Sequence, residues 1–286
     1  MNRRFVIIIM MCMVSLCTFA QRSSGGSKEK TFNLEYKRGV IGGGYNFLVT
    51  TPYFYNDSDD KMALVVFLHG RSLCGHNLDQ VRKYGTIAAV EMGLQLEAVC
   101  VAPQNPGGAW NPTKVLEVIE YMEKHYRIEP SRIFVLGMSL GGYGTMDFVN
   151  TYPQKVAAAM AICGGCTGRT YENLSKVPLW IVHGSADEKV PVNESRKVVN
   201  GIRSNYDSSL LLYSELPGIN HGRPARLFYQ LDTYDWLFSH TTLDRRLDKT
   251  FTINNATLNR SYNENMQRSV YPEDDILEGI LNEMEW

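Results

Sequence analysis

The feature that most constrains this chain is a serine placed between glycines, directly after an apolar run. The stretch Gly137–Gly142 reads G-M-S-L-G-G and follows a strand predicted over Ile133–Gly137. Where a strand reverses abruptly into a helix, the two backbones approach closely, so the positions beside the turn residue must be nearly free of side chains. The pattern therefore predicts a strand, a sharp turn and a helix reaching about Tyr152. It lifts Ser139 above the edge of a sheet, at the positive end of that helix.

The rest of the chain alternates short apolar runs with amphipathic stretches. Ala63–Leu68 is a continuous apolar run, which is typical of a strand buried on both faces. Helical segments separate the predicted strands, and this alternation favours an α/β class with a mostly parallel central sheet covered by helices on both faces. The other predicted strands are Tyr45–Thr51, Glu97–Ala102, Val156–Cys163, Leu179–His183 and Leu210–Leu216.

Three further helices are predicted between these strands. One begins at Asn111-Pro112, because asparagine is a good N-cap and proline is favoured at the first helical position. Its apolar residues, Val115, Ile119, Met122 and Tyr126, recur at helical spacing. The other two helices are predicted over about Val192–Arg203 and Ala225–Phe238.

The beginning of the chain has the pattern of an export signal. Arg3 and Arg4 precede the apolar run Phe5–Phe19, and small residues precede a predicted cut ahead of Gln21. The alternative is an uncleaved anchor, but the run is short for a transmembrane helix. We expect residues 1–20 to be removed, no stable membrane insertion afterwards, and a periplasmic or extracellular protein.

Three segments follow the predicted signal. Residues 21–31 form a polar linker, 32–240 one catalytic domain, and 241–286 a polar C-terminal extension. Apolar residues recur at helical spacing over Asp274–Trp286, which predicts a terminal helix. Such a segment is either a mobile or loosely packed tail or a helix that docks a partner.

Composition excludes some partners. With 44% hydrophobic and 21% charged residues and a net charge of -1, the chain is ordinary for a globular protein. This balance does not favour nucleic acid or an anionic membrane surface as a partner.

Cys163 and Cys166 have the spacing of a redox motif, but they follow a strand. A local disulfide or two free thiols is therefore favoured over redox chemistry.

A serine hydroxyl needs a base to act as a nucleophile, and that base needs an orienting acid. In a strand–turn–helix setting of this kind, both follow the serine along the chain, in loops at the carboxyl ends of strands. His221 and Asp187 occupy such loops. Two alternatives remain for the acid: Asp187 caps the helix near Val192, or Glu188 takes its place.

The oxyanion that forms during acyl transfer needs hydrogen-bond donors. One predicted donor is the backbone N–H of Leu140, directly after the serine. The other is the backbone N–H of Arg71, in the loop after the Ala63–Leu68 strand. The side chain of His69 is expected to hold that loop.

Five segments together resemble the α/β-hydrolase superfamily. More narrowly, they are similar to the branch of secreted carboxylesterases that holds polyhydroxybutyrate-depolymerase-like and feruloyl-esterase-like enzymes and the "predicted peptidase" serine hydrolases. The resemblance covers about Tyr45 to His240. Its segments are Val65–Gly70, the Pro103–Pro112 stretch, Gly137–Gly144, His183–Pro191 and Gly218–His221.

The resemblance implies ester hydrolysis through Ser139, Asp187 and His221, without a cofactor or metal. The expected substrate is a small or polymer-linked ester. The resemblance also implies that Trp110 borders the substrate cleft, although ordinary packing is the alternative. Two departures from the family pattern bear on the substrate: a charged Arg71 in the oxyanion loop, and Arg223 after the catalytic histidine.

Two other functions remain open from the sequence. The first is a serine peptidase of the prolyl-oligopeptidase-like type, which the fold also hosts. We expect no large substrate-selecting domain before the catalytic one, which disfavours this alternative. The second is a non-catalytic binding module, which would have no chemical need for the triad and the oxyanion loop together.

Overall fold

The computed structural model describes residues 32–247 and 251–258. The predicted export signal, the linker and the predicted terminal helix lie outside the described residues. All described residues belong to one compact unit. Among them, none of the helices combines the length and the apolar character that a membrane-spanning segment needs.

The centre of the fold is an eight-stranded sheet with the order β1-β2-β4-β3-β5-β6-β7-β8. β1 pairs antiparallel with β2, and β2 pairs antiparallel with β4; the remaining pairs are parallel. The predicted mostly parallel sheet is confirmed. Its strands are β1 (Phe32–Lys37), β2 (Asn46–Pro52), β3 (Met62–Leu68), β4 (Ala98–Gln104), β5 (Ile128–Met138), β6 (Ala158–Ile162), β7 (Leu179–Gly184) and β8 (Leu211–Leu216).

Helices cover both faces of this sheet. The side chain of Asn111 accepts hydrogen bonds from the N–H groups of Thr113 and Lys114, which confirms the predicted N-cap of the helix that begins at Pro112. The helices are α1 (Thr86–Glu91), α2 (Pro112–His125), α3 (Leu140–Thr151), α4 (Asn193–Asn205), α5 (Leu231–Phe238) and α6 (Asn255–Leu258).

The single helix predicted over Ala225–Phe238 is wrong. The structure has a 3-10 helix at Arg223–Tyr229, and Gln230 is extended before α5. Residues 224–229, before the break, are all buried, so this segment has no polar face that would mark it as part of one amphipathic helix. Arg226 and Gln230 also donate from their side chains to backbone carbonyls of the α6 segment, so long-range bonds fix the break.

Successive strand residues point to opposite faces of the sheet, so each face has its own core. On one face, Phe67 packs with residues of α1 and α5. On the other face, Val66 packs with residues of α2, α3 and α4. The parallel strands all end on the same side of this three-layer arrangement. The loops after β3, β5, β7 and β8 therefore come together at the carboxyl ends of the strands.

Candidate active site

Ser139 lies in a sharp turn between β5 and α3. Its backbone has φ 58 and ψ -120, a conformation that non-glycine residues rarely adopt. The Ser139 N–H donates to Ile162 O at 2.9 Å, and its carbonyl accepts the Tyr143 N–H at 3.0 Å. These bonds hold the strained turn from both sides.

The glycines around Ser139 allow the close approach that its turn needs. A Cβ at Gly141 would lie 1.8 Å from Leu68 O, and a Cβ at Gly137 would lie 2.5 Å from the same oxygen. The first turn of α3 therefore packs directly on the end of β3. This contact brings Ser139 next to the loop that follows β3.

Asp187 is the acidic residue that the structure places against His221. The distance from Asp187 Oδ2 to His221 Nδ1 is 2.6 Å, while Asp187 Oδ1 accepts the N–H groups of Lys189 and Val190 at 2.9 and 2.8 Å. Burial raises the pKa of Asp187, but hydrogen bonds from His183 and His221 outweigh this and hold the pKa well below its usual range. Asp187 is thus a carboxylate across the physiological pH range.

The two alternatives for the acid can be compared directly. Glu188 is exposed, whereas the side chain of Asp187 is fully buried beside His221. The N-cap position of α4 is Val192, and no side chain caps that helix. The carboxylate of Asp187 therefore faces histidine and loop backbone, not the end of α4.

A second histidine, His183, contacts the other side of the Asp187 carboxylate. It is fully buried at the end of β7, with Nε2 at 3.1 Å from Asp187 Oδ2 and 2.9 Å from Val190 O. Its Nδ1 lies 2.7 Å from Ser195 Oγ, which donates to Gly164 O at 2.8 Å. Because Nε2 faces two acceptor oxygens, it carries a ring proton and donates toward the carboxylate, which helps to fix the orientation of Asp187.

Sequence reasoning assigned His183 no role beyond ending a strand. The signal that could have found it is the spacing of four residues between His183 and Asp187 across the end of β7. A histidine that ends a strand and an acid in the following loop meet at the same sheet edge.

His221 follows β8 in a loop that packs on the loop holding Asp187. Ala186 N donates to Ile219 O at 3.0 Å, and Gly218 N donates to Ser185 Oγ at 2.9 Å. A Cβ at Gly184 would lie 2.2 Å from Ile219 O, so this glycine permits the contact. These contacts between the two loops therefore fix the position of His221 relative to Asp187.

The predicted oxyanion donors begin two helical segments beside Ser139. Arg71 is the first residue of a 3-10 turn over Arg71–Leu73, and Leu140 is the first residue of α3. The first N–H groups of a helix have no partner within that helix. A Cβ at Gly70 would lie 3.4 Å from Ser139 Cβ, so the loop carrying Arg71 is in contact range of the serine.

His69 and Gln104 fasten the loop after β3 to the end of β4. His69 Nε2 accepts the Asn105 N–H at 3.0 Å, so the proton of the neutral ring is on Nδ1, which lies 2.6 Å from Gly70 O. Gln104 Nε2 donates to Leu73 O at 3.1 Å. These bonds give His69 the loop-holding role expected for it.

Trp110 packs behind the same loop. Its indole N–H donates to His69 O at 3.2 Å, and its ring centroid lies 5.0 Å from that of His69 and 5.2 Å from that of Tyr45. It is 4% exposed, and it fills the space beside Gly144 where a Cβ would meet the ring at 2.6 Å. Trp110 therefore supports the loop, and its contact with a substrate stays a prediction.

Acid should destabilise the protein through His69. Burial lowers the pKa of His69 to about 4, whereas an unfolded histidine titrates near 6.5. Between these values the unfolded chain binds a proton that the folded one does not. The contribution of this difference to the free energy of unfolding is fully present above pH ~6.5. About 3 kcal/mol is lost as the pH falls from there toward 4.

Denaturant titrations of the wild type and of His69→Gln from pH 7 to 4.5 measure this effect. Glutamine keeps an acceptor for Asn105 but does not titrate. We expect the free energy of unfolding of the wild type to fall by about 2–3 kcal/mol more than that of the variant. Parallel pH dependences in the two proteins would exclude His69 as the cause.

The cysteines of the described part of the chain are free thiols, namely Cys74, Cys100, Cys163 and Cys166. Of the two alternatives for Cys163 and Cys166, the structure therefore has two free thiols. Cys163 Sγ, His183 and Asp187 offer donor atoms within 4.8 Å of one another, a spacing that a small cation could use. However, His183 and Asp187 already bond to each other, and burial raises the pKa of the Cys163 thiol well above its usual value, which disfavours the thiolate that a metal needs.

Several known proteins with similar sequences or structures are esterases. No family model matches the chain. A solved thermostable esterase superposes with a TM-score of 0.59 at 26% identity, covering 74% of this chain and 63% of that one. A bifunctional acetylxylan esterase/xylanase from Neocallimastix patriciarum is 30% identical over 32% of this chain and 13% of its own length. Acetylxylan esterase A from Aspergillus awamori is 26% identical over 34% of this chain and 37% of its own.

These similarities, together with the sheet order and the serine turn, define the class. The chain has the α/β-hydrolase fold. Within that class its relatives and structural neighbours are carboxylic ester hydrolases, which confirms the resemblance seen in the sequence. The chain spans less than two thirds of the length of each of these relatives.

Proposed function

We propose that this protein hydrolyses carboxylic esters with Ser139 as the nucleophile, His221 as the general base and Asp187 as the acid that orients it. The observation that carries the proposal is the 2.6 Å hydrogen bond between Asp187 Oδ2 and His221 Nδ1, at the sheet edge where Ser139 occupies a strained turn. Asp187, bonded to Nδ1, sets the tautomer of His221 and leaves Nε2 to exchange a proton with the serine.

The first half-reaction forms an acyl-enzyme. Ser139 Oγ attacks the ester carbonyl carbon while its proton passes to His221 Nε2, and the negative charge develops on the carbonyl oxygen. The backbone N–H groups of Leu140 and Arg71 stabilise that oxyanion. The C–O bond to the alcohol then breaks, and the alcohol leaves with the proton from His221.

The second half-reaction repeats these steps with water. His221 takes a proton from water, whose oxygen attacks the acyl carbon. The second oxyanion collapses, Ser139 Oγ leaves with the proton from His221, and the carboxylic acid is released. Ionised Asp187 stabilises the imidazolium in both halves, and its lowered pKa supports this role because it keeps the carboxyl charged.

The names of the relatives suggest the class of ester. Two of them are acetylxylan esterases. We therefore include short acyl groups carried on polysaccharide among the proposed substrates of this chain. The predicted export is consistent with a substrate of this kind, because a polysaccharide too large to enter a cell must be hydrolysed outside it.

A substrate panel tests the reaction class. The chain from Gln21 onward is assayed with 4-nitrophenyl acetate, a feruloyl ester, an acetylated xylo-oligosaccharide and a peptidyl amide, each before and after treatment with a fluorophosphonate. We expect ester turnover with kcat in the ordinary enzyme range of about 1–10³ s⁻¹, abolished by the inhibitor. Turnover of the amide alone would favour the peptidase alternative. No turnover and no labelling would overturn the proposal.

A further inference from the structure

A buried tyrosine hydroxyl contacts Gly70, the residue that precedes the proposed oxyanion donor Arg71. The Gly70 N–H donates to Tyr84 Oη at 2.7 Å. A Cβ at Gly70 would lie 2.7 Å from this oxygen and 3.4 Å from Ser139 Cβ. Gly70 therefore packs against both the tyrosine hydroxyl and the serine, and Tyr84 itself is fully buried.

The ring of Tyr84 is held by its neighbours. Phe67 packs edge-on against it with a centroid distance of 5.9 Å, and Phe228 lies tilted at 6.5 Å. The next residue, Gly85, has φ +94, and the Phe67 ring lies 2.1 Å from where its Cβ would be. The backbone after Tyr84 therefore approaches Phe67 in a way that only glycine permits, and the hydroxyl has little freedom to move.

The Tyr84 hydroxyl holds one of the two peptide groups that flank Gly70. The peptide that joins Gly70 to Arg71 carries the N–H predicted to bind the oxyanion, and its carbonyl oxygen lies 2.6 Å from His69 Nδ1. The preceding peptide is held through the bond from Gly70 N to Tyr84 Oη. Only φ and ψ of Gly70, at -75 and 175, lie between these two anchors, and glycine has no Cβ to restrict them.

The Tyr84 hydroxyl is also uncharged, which is compatible with a position near a developing oxyanion. Burial raises the pKa of Tyr84 to about 12, so the group stays a neutral phenol wherever the hydrolase would work. A neutral oxygen can accept the Gly70 N–H without placing a negative charge near the developing oxyanion.

We propose that Tyr84 is a positioning residue for the oxyanion hole: its hydroxyl holds the Gly70 N–H and thereby aims the Arg71 N–H at the reacting carbonyl beside Ser139. This inference rests on the proposed ester hydrolysis. Without the hydroxyl, the buried Gly70 N–H loses its acceptor, and rotation of Gly70 toward another acceptor turns the Arg71 N–H away. Misplacement by about 1 Å at a reacting centre costs on the order of a hundredfold in rate.

Tyr84→Phe tests the proposal, because it keeps the ring in its aromatic contacts and removes only the acceptor. We expect kcat to fall about 10- to 100-fold and KM to change less than about threefold. The affinity for a trifluoromethyl ketone, which forms an oxyanion on Ser139, should fall by the same factor as kcat. Labelling of Ser139 by a fluorophosphonate also slows, since that reaction uses the same N–H groups.

Tyr234→Phe is the matched control. Tyr234 is also fully buried on the same face of the sheet, and its hydroxyl donates to Phe228 O at 2.8 Å and lies 3.0 Å from Thr86 Oγ1. It should destabilise the protein without changing kcat or ketone affinity. Equal effects of the two variants on kcat, or a Tyr84→Phe protein with wild-type kcat and ketone affinity, would overturn the inference.

The design separates this inference from the proposed function. A wild-type protein that neither turns over esters nor labels at Ser139 contradicts the proposed function, and Tyr84 then has no oxyanion hole to position. An active wild type with an equally active Tyr84→Phe contradicts the inference alone. If Tyr84→Phe does not fold, 3,5-difluorotyrosine at position 84 keeps the ring and hydroxyl but weakens the acceptor. We then expect kcat to fall a few-fold, and an unchanged kcat overturns the inference.

Discussion

Replacing Ser139 with alanine is expected to lower kcat for esters by about 10⁴-fold or more, with little change in KM. The variant keeps the oxyanion donors and the His221–Asp187 pair, whose hydrogen bond is 2.6 Å long, but it has no oxygen to form an acyl-enzyme. Removing the nucleophile of a Ser-His-Asp triad leaves only the rate that binding and the oxyanion hole supply. Initial rates with 4-nitrophenyl acetate, and covalent labelling by a fluorophosphonate followed by mass spectrometry, measure both losses.

The matched control for this variant is Ser175→Ala. Ser175 is another serine in a turn, and its hydroxyl donates to Glu172 O at 2.8 Å on the exposed surface. It should keep wild-type kcat and wild-type labelling. If Ser139→Ala retains more than about a hundredth of the wild-type rate, or if the fluorophosphonate modifies a different residue, another group is the nucleophile and the proposed function must be revised.

Much of the candidate site could be predicted because its signals are local. The glycines around Ser139 are required by backbone contacts only 1.8 to 2.5 Å from where side chains would begin, and this requirement is visible as spacing in the sequence. The closeness of Asp187 and His221 could be predicted because parallel strands bring their carboxyl ends to one edge of the sheet. Only the structure shows that Asp187, and not Glu188, pairs with His221. The direction in which each side chain of a loop points cannot be read from the sequence.

The features that the sequence did not reveal depend on contacts between distant segments. The edge strand β1 has half-buried residues throughout, and only its pairing with β2 identifies it. The break before α5 depends on bonds from Arg226 and Gln230 to the α6 segment. The role of Tyr84 depends on a bond between residues 14 positions apart, which no local pattern signals.

The second large effect is expected from Gly141→Ala. A Cβ at this position would lie 1.8 Å from Leu68 O, 2.5 Å from Leu68 C and 2.8 Å from His69 O. These atoms belong to the backbone of β3 and of the loop after it, so no side-chain rotation relieves the clash and α3 must move away from the sheet. Overpacking lowers the free energy of unfolding by about 1–3 kcal/mol and occasionally by more. A clash with rigid backbone is expected to cost at least the upper value of this range. We expect a loss of about 3 kcal/mol or more and a decrease in Tm of roughly 6–12 °C, measured by calorimetry.

The same displacement should reduce activity in the fraction that stays folded. Moving α3 outward carries Leu140 and Ser139 away from the loop that holds Arg71, so the two predicted oxyanion donors no longer converge. We expect kcat to fall about a hundredfold under conditions where the variant is fully folded. Gly42→Ala is the control, because Gly42 is exposed and a Cβ there would have no atom within 4 Å. It should change stability by no more than about 0.5 kcal/mol. A Gly141→Ala protein with wild-type Tm and kcat would mean that the approach of α3 to β3 is looser than its backbone contacts require.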